Sequence, residues 1–363
     1  MKKSIAFVLP NLNAGGAQRV VSTLSNLLIK EFHVSVIILY KNDLFYNLDP
    51  KVKLEFCSST YQANPNIFQS VTTHFILIKN LIKILRSHKT DLIIGFLPVT
   101  NIYAILASKF LRIPSIISER ANPEYSILSP FWSYIRKRGY PLSNCLVVQT
   151  QATKSYFKSY VKSNIEVINN PINLNLLLKK DFSIKKEDII LNVGRLAEPK
   201  NQDLLIRAFS NINHMGWKLI LVGDGVNYDP FKNLINSLEM QEHIVLAGNS
   251  TDVASYYNKS KIFAFTSKYE GFPNVILEAM SYGLACISTN CPHGPSEIIK
   301  NNKNGLLIPV SDQHALETAL TELIEKKDFR EKLGKNALES TLAYQPSNIA
   351  LKWSVLINKL IKN

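Results

Sequence analysis

Acidic residues are scarce in the first half of this 363-residue chain. Residues 1–165 hold 7 Asp/Glu against 20 Lys/Arg, whereas residues 166–363 hold 21 against 22. The basic count hardly changes between the halves, so a lysine-rich composition alone does not explain the asymmetry. It points to an anionic partner for the first half: a lipid headgroup surface, a diphosphate or a nucleic acid. Cysteine is equally sparse. Cys57, Cys145, Cys286 and Cys291 give neither a CxxC pair nor a disulfide framework, which makes a reducing compartment the default. Long apolar runs are also missing. Residues 92–108 carry no charge, but Pro98, Thr100 and Asn101 interrupt them, and a bilayer crossing needs about 20 predominantly apolar residues. Ile5–Leu9 follows Lys2 and Lys3 and stops at Pro10 without a small-residue cleavage site, so it reads as a buried first strand rather than a secretory signal.

What is present is a rhythm. Short apolar runs alternate with helix-length periodic segments, the pattern of open parallel α/β sheets. Strands are expected at Ile5–Leu9, His33–Leu39, Val52–Phe56, Leu92–Phe96, Ser115–Ser118 and Cys145–Gln149, with helices near 17–31, 68–88, from 101, and 151–160. The rhythm restarts at Ile189–Val193 and runs through Trp217–Val222, Ile244–Leu246, Ile262–Thr266, Ala285–Ser288 and Leu306–Ile308. Helices fit 201–212, 230–239, 251–258, 274–282, 295–300 and 312–325. The fold expected is therefore α/β, two Rossmann-like doubly wound domains facing each other across a cleft. Residues 1–172 form the first domain, 173–187 a linker and 188–345 the second domain. A terminal helix, 346–363, is a candidate to pack back on the first.

Four loops carry the chemistry. Asn11 to Arg19 joins a strand to a helix, and Gly15 and Gly16 allow close backbone approach to a ligand at a helix N-terminus. It is neither a GxGxxG nor a P-loop, since no GK[ST] follows, and a plain tight turn accounts for it as well. In the second domain Asn192-Val193-Gly194-Arg195-Leu196 is followed by Pro199-Lys200-Asn201. Arg195 offers a planar fork and Lys200 a mobile point charge, a pair suited to a diphosphate, with a solvated loop pair as the alternative. The segment 266–280 ends a strand, turns at Gly271-Phe272-Pro273 and starts a helix with Asn274 as expected N-cap. Glu270 and Glu278 bracket that turn and suit sugar or ribose hydroxyls, while first-turn N–H groups suit phosphate or sugar oxygens. Cys291 and His293 in the loop 291–297 lack further ligands at metal spacing, so no metal is expected there. Residues 125–140 mix aromatics with Arg136, Lys137 and Arg138, a pattern for contact with an anionic membrane or for a packed helix with a solvated basic end.

Together these segments resemble the retaining family 4 glycosyltransferases: Gly15-Gly16, Asn192–Arg195 with Lys200, and the E-x7-E of Glu270 and Glu278. Pro292–Glu297 followed by Asn304–Pro309 looks like the bacterial members that extend polyprenyl-diphosphate-linked oligosaccharides, capsules or lipopolysaccharide. The resemblance implies a GT-B fold and a UDP-sugar donor, with N-acetylgalactosamine or galactose the expected sugar. The acceptor it implies is polyprenyl-diphosphate-linked, and the enzyme sits on the inner face of the membrane as a peripheral cytoplasmic protein. No cofactor and no metal are implied, in keeping with the lack of a DxD pair, and nucleic acid is not an expected partner. By the same resemblance Arg195 and Lys200 hold the diphosphate, Glu278 the ribose and Glu270 the donor sugar. Gly271, Phe272, Pro273, Asn274 and Val275 would line the sugar and phosphates, and Gly15 and Gly16 would close on the donor. A histidine common near the donor sugar in the first domain is not found here. Glu119 and Arg120, at the end of a strand, are the acceptor-side candidates, with a simple ion pair as the alternative. Two other readings stand beside this one: a nucleotide-sugar epimerase or hydrolase, and a non-enzymatic binder of anionic surfaces.

Overall fold

The computed structural model describes residues 2–42, 44–59, 67–125 and 128–362. Two compact units emerge, Met1–Pro171 with Pro346–Asn363, and Ile172–Gln345. The first contains β1 (Ser4–Leu9), α1 (Gly16–Leu28), β2 (His33–Tyr40), β3 (Lys53–Ser58), α2 (Ile67–Ser87), β4 (Leu92–Phe96) and α3 (Pro98–Leu111). It continues with β5 (Ser115–Ser118), α4 (Pro130–Gly139), β6 (Cys145–Val148), α5 (Gln151–Lys158) and β7 (Asn164–Val167). The second opens with α6 (Leu174–Leu178), β8 (Ile189–Val193), α7 (Gln202–Asn211), β9 (Lys218–Val222), α8 (Tyr228–Ser237), β10 (Ile244–Gly248) and α9 (Val253–Lys259). Then come β11 (Ile262–Phe265), α10 (Asn274–Ser281), β12 (Ala285–Thr289), α11 (Pro295–Ile298), β13 (Leu306–Ile308), α12 (Gln313–Glu325) and α13 (Lys327–Ser340). Helix α14 (Pro346–Lys362) returns to the first unit.

Both sheets are parallel throughout. The first runs β3-β2-β1-β4-β5-β6-β7 and the second β10-β9-β8-β11-β12-β13. Each therefore reverses direction between its first and fourth strand, the Rossmann arrangement whose switch point collects ligands at the carboxyl ends of the strands. Helices on both faces explain why the central strands read as unbroken apolar runs: every residue of β4, β11 and β12 is buried. The edge strand β3 instead holds half-exposed positions.

Several elements differ from expectation. Residues 173–187 carry α6 and are tied to the second unit: Asn258 Nδ2 donates to Lys179 O (3.0 Å), Tyr282 Oη to Leu176 O (2.6 Å) and Lys186 Nζ to Ser260 O (2.8 Å). Helix α13 was not expected, because its polar sequence hides a narrow apolar seam of Leu333, Gly334 and Ala337. Gly334 sits where a Cβ would lie 2.4 Å from the Gly283 carbonyl oxygen, so the helix approaches the backbone before β12 at a distance only glycine permits. Helix α14 contributes Ile349, Trp353, Leu356 and Ile357 to the core of the first unit, with Trp353 stacked on Phe96 at 5.8 Å. Among the described residues no helix is long and apolar enough to cross a membrane.

Candidate functional site

The second sheet's switch point lies between β8 and β11. The loops that leave these two strands are the ones carrying Arg195, Lys200 and Glu270, so the topology brings together residues 70 positions apart. The Arg195 loop is held by its neighbour: Gly194 N donates to Val222 O (2.9 Å), Leu196 N to Asp224 O (2.9 Å) and Asn227 N to Leu196 O (3.1 Å). Gln202 Nε2 adds a bond to Arg195 O (3.0 Å). The backbone is thus fixed while the Arg195 side chain is exposed.

Lys200 ends a short 3-10 turn and is pinned to β11, with Thr266 Oγ1 donating to Lys200 O (2.9 Å) and Lys268 N to Pro199 O (2.9 Å). Its ammonium forms a close ion pair with Glu270 Oε1 and lies 5.7 Å from the centre of the Phe265 ring. Glu270 is the more buried partner, its side chain 13% exposed against 30% for Lys200. Glu278 is buried on α10 and accepts a bond from Tyr257 Oη (3.4 Å). The turn between the two glutamates differs in detail from expectation. Pro273, not Asn274, occupies the cap position, and Asn274 is the first residue of the helix. Two of the first amides are taken, Asn274 N by Phe272 O and Ile276 N by Pro273 O, both at 3.0 Å. Phe272 and Pro273 are buried, while Gly271, Asn274 and Val275 are half-buried. The loop of His293 and Gly294 packs beneath them: a Cβ on Gly294 would meet Pro273 Cδ at 2.5 Å.

Next to Arg195 opens a pocket of about 830 Å³ lined by Val193, Gly194, Gly223, Asp224, Asn249 and Val253, among others. Sequence reasoning passed over most of this lining. The available signal was Gly223-Asp224-Gly225 directly after a strand, two glycines with positive φ (142° and 158°). A Cβ on either would fall 2.0 Å from Gly194 O or 2.2 Å from Leu196 O, so the two loops touch backbone to backbone. Among the described residues no group of three or more His, Cys, Asp or Glu is placed to hold a metal ion.

In the first unit the switch point lies between β1 and β4. Gly15 precedes α1 with extended backbone, and Tyr46 Oη bonds both its N (3.2 Å) and its O (3.1 Å); Gly16 starts the helix. At the end of β5, Glu119 and Arg120 turn inward. Glu119 accepts from Tyr140 Oη (2.9 Å), and burial pushes its carboxyl above the usual range, with the Arg136 charge opposing that shift. The Arg120 guanidinium lies over the rings of Phe96 (4.7 Å) and Trp353 (5.7 Å) and donates to Asn170 Oδ1 (2.8 Å). Its Nε and Nη2 are buried, and desolvation brings it down to about 9, partly offset by Glu119. Among the described residues the two side chains form no ion pair with each other, and Arg120 N donates to Glu119 Oε1 (3.3 Å). The basic segment also needs correction. Ser126 and Ile127 lie outside the described residues, and in α4 Arg136 is buried with Trp132 and Tyr140 on the inward side, 5.8 Å from the Phe157 ring. Helical periodicity points it at the core, leaving Lys137 and Arg138 exposed.

Residues 14–176 match the Glycosyltransferase Family 4 model, and residues 177–340 match Glycosyl transferases group 1. A Campylobacter jejuni protein, GalNAc-alpha-(1->4)-GalNAc-alpha-(1->3)-diNAcBac-PP-undecaprenol alpha-1,4-N-acetyl-D-galactosaminyltransferase, is 31% identical over 99% of both chains. Sucrose-phosphate synthase from Thermosynechococcus elongatus shares the fold with a TM-score of 0.82 at 20% identity, covering 99% of this chain and 100% of that one. Anabaena Alr3699/HepE in complex with UDP follows with a TM-score of 0.79 at 18% identity, covering 98% and 100%.

Proposed function

The chain belongs to glycosyltransferase family 4, and on that premise we propose that it moves N-acetylgalactosamine or galactose from UDP onto a polyprenyl-diphosphate-linked glycan, with retention at the anomeric carbon. The observation that carries the reading is the convergence of Arg195 and the Lys200–Glu270 pair on one switch point, beside a pocket with room for a nucleoside. Arg195 and Lys200 neutralise the diphosphate and hold the charge that grows on it as the bond to the sugar breaks. Glu278 takes the ribose hydroxyls, Glu270 the donor sugar, and the backbone of Gly271–Val275 flanks sugar and phosphate. A departing phosphate oxygen on the attacked face accepts the proton of the acceptor hydroxyl, so no side-chain base is required. The Campylobacter relative is named for N-acetylgalactosaminyl transfer to an undecaprenol-diphosphate glycan, and the Anabaena structure holds UDP; both support this assignment.

The test is a panel of nucleotide sugars incubated with and without mono- and disaccharide-diphospholipids, with linkage assigned by NMR. Transfer from a UDP sugar, in an α linkage and only with lipid acceptor, is the expected result. Turnover without acceptor points instead to an epimerase or hydrolase, and no turnover with any nucleotide sugar overturns the proposal.

The same reading places the enzyme on the cytoplasmic face of an anionic membrane. Its first unit holds 23 Lys/Arg against 8 Asp/Glu, and the second 19 against 20. Exposed Phe75 on α2, Phe110 on α3, and Phe131 and Tyr134 on α4 accompany Lys137 and Arg138. Each cation near an anionic leaflet is worth about 1 kcal/mol, so Lys137→Glu with Arg138→Glu should weaken partition onto phosphatidylglycerol vesicles at least tenfold, or about 1.4 kcal/mol, and leave UDP affinity intact. Vesicle sedimentation that does not change rejects the docking surface. Arg136 is left in place because it is buried.

A further inference from the structure

We propose that Glu270 makes the site discriminate between a nucleotide sugar and the bare nucleotide, by competing with phosphate for Lys200. The proposal rests on the donor reading above. Its starting point is the close Lys200–Glu270 ion pair, with the lysine side chain 30% and the glutamate 13% exposed. The Thr266 hydroxyl, donating to Lys200 O, and Lys268 N, donating to Pro199 O, fix the root of Lys200 just past the end of β11, so its ammonium reaches a ligand by side-chain torsion alone. Cys291 responds to both charges, yet burial pushes its thiol up to about 12; it stays neutral and does not take over either role.

A diphosphate entering beside Arg195 draws the Lys200 ammonium toward itself. Glu270 is then a largely buried carboxylate deprived of its cation, with new negative charge close by, an expensive state. A sugar on the diphosphate relieves it, because hydroxyl groups donate hydrogen bonds to the carboxylate. UDP alone brings the charge without the donors. Nucleotide sugar is thus held in preference to UDP, and once the sugar has left, Glu270 recovers Lys200 and the nucleotide departs. Glu270 therefore selects the substrate over its own product.

A double-mutant cycle read by calorimetry tests this, using UDP, uridine and UDP-N-acetylgalactosamine without acceptor at one ionic strength. The proteins are the wild type, Glu270→Gln, Lys200→Ala and the double variant, each first checked by thermal melting. Glu270→Gln should bind UDP about tenfold tighter, a step of 1.4 kcal/mol, and uridine unchanged. The gain for UDP-N-acetylgalactosamine should be smaller than for UDP, and the UDP gain should vanish in the Lys200→Ala background. If the wild type binds no UDP, the donor reading fails and this inference with it. If UDP binds but Glu270→Gln leaves it no tighter, or tightens it equally without Lys200, only the inference is overturned.

Discussion

Arg195→Ala is expected to lower kcat/KM by about 10²–10³-fold, the loss seen when one preorganised charge-stabilising donor is removed. Two structural facts make the effect large in activity and small in stability. The backbone of Gly194, Arg195 and Leu196 is held by four hydrogen bonds that do not involve the arginine side chain. The side chain is exposed, and among the described residues it makes no ion pair or hydrogen bond of its own. The fold therefore loses nothing, and stability should stay within about 0.5 kcal/mol. Arg195→Lys should recover only part of the rate, since a point charge does not reproduce the bidentate fork. Steady-state kinetics with the identified donor, paired with a melting curve, decide the matter. Activity that survives the alanine change would remove Arg195 from the phosphate site.

Gly223→Ala should impair both stability and nucleotide binding. Its φ of 142° is unfavourable for any residue with a Cβ, and that Cβ would lie 2.0 Å from the Gly194 carbonyl oxygen. Neither loop has a flexible side chain there to move aside, so the backbone that presents Arg195 must shift. A loss of about 1–3 kcal/mol is the scale of such overpacking. Gly216→Ala is the control: φ is 80°, and nothing lies within 4 Å of its Cβ position. It should show the backbone penalty of about 1 kcal/mol without any change in UDP affinity. Equal binding losses in both variants would mean that contact with the Arg195 loop is not what matters at position 223.

The contrast shows which parts of the molecule were legible beforehand. Buried strands were, because a strand covered on both faces must be apolar along its whole length, as in Leu92–Phe96. The pairing of Lys200 with Glu270 was foreseeable only as convergence, since each lies in a strand-to-helix loop and strand order is not written in the chain. The inward turn of Arg120 was not legible at all. Its surroundings come from Phe96, Asn170 and Trp353, the last 233 positions away. Arg136 was readable in principle, from its spacing to Trp132 and Tyr140, but three consecutive cations drew attention to charge instead. Helix α13 escaped because its buried stripe is narrow, Leu333, Gly334 and Ala337 with Arg330, in an otherwise polar sequence.

The return of α14 limits how this protein can be dissected. A fragment ending at Pro171 would expose the faces that Ile349, Trp353 and Leu356 cover, and would strip one ring from the Arg120 guanidinium. Removing the last eighteen residues from the full chain would do the same damage. Separating the halves genetically therefore calls for rejoining the tail to the first unit, by fusing 346–363 behind residue 171 or supplying it as a peptide.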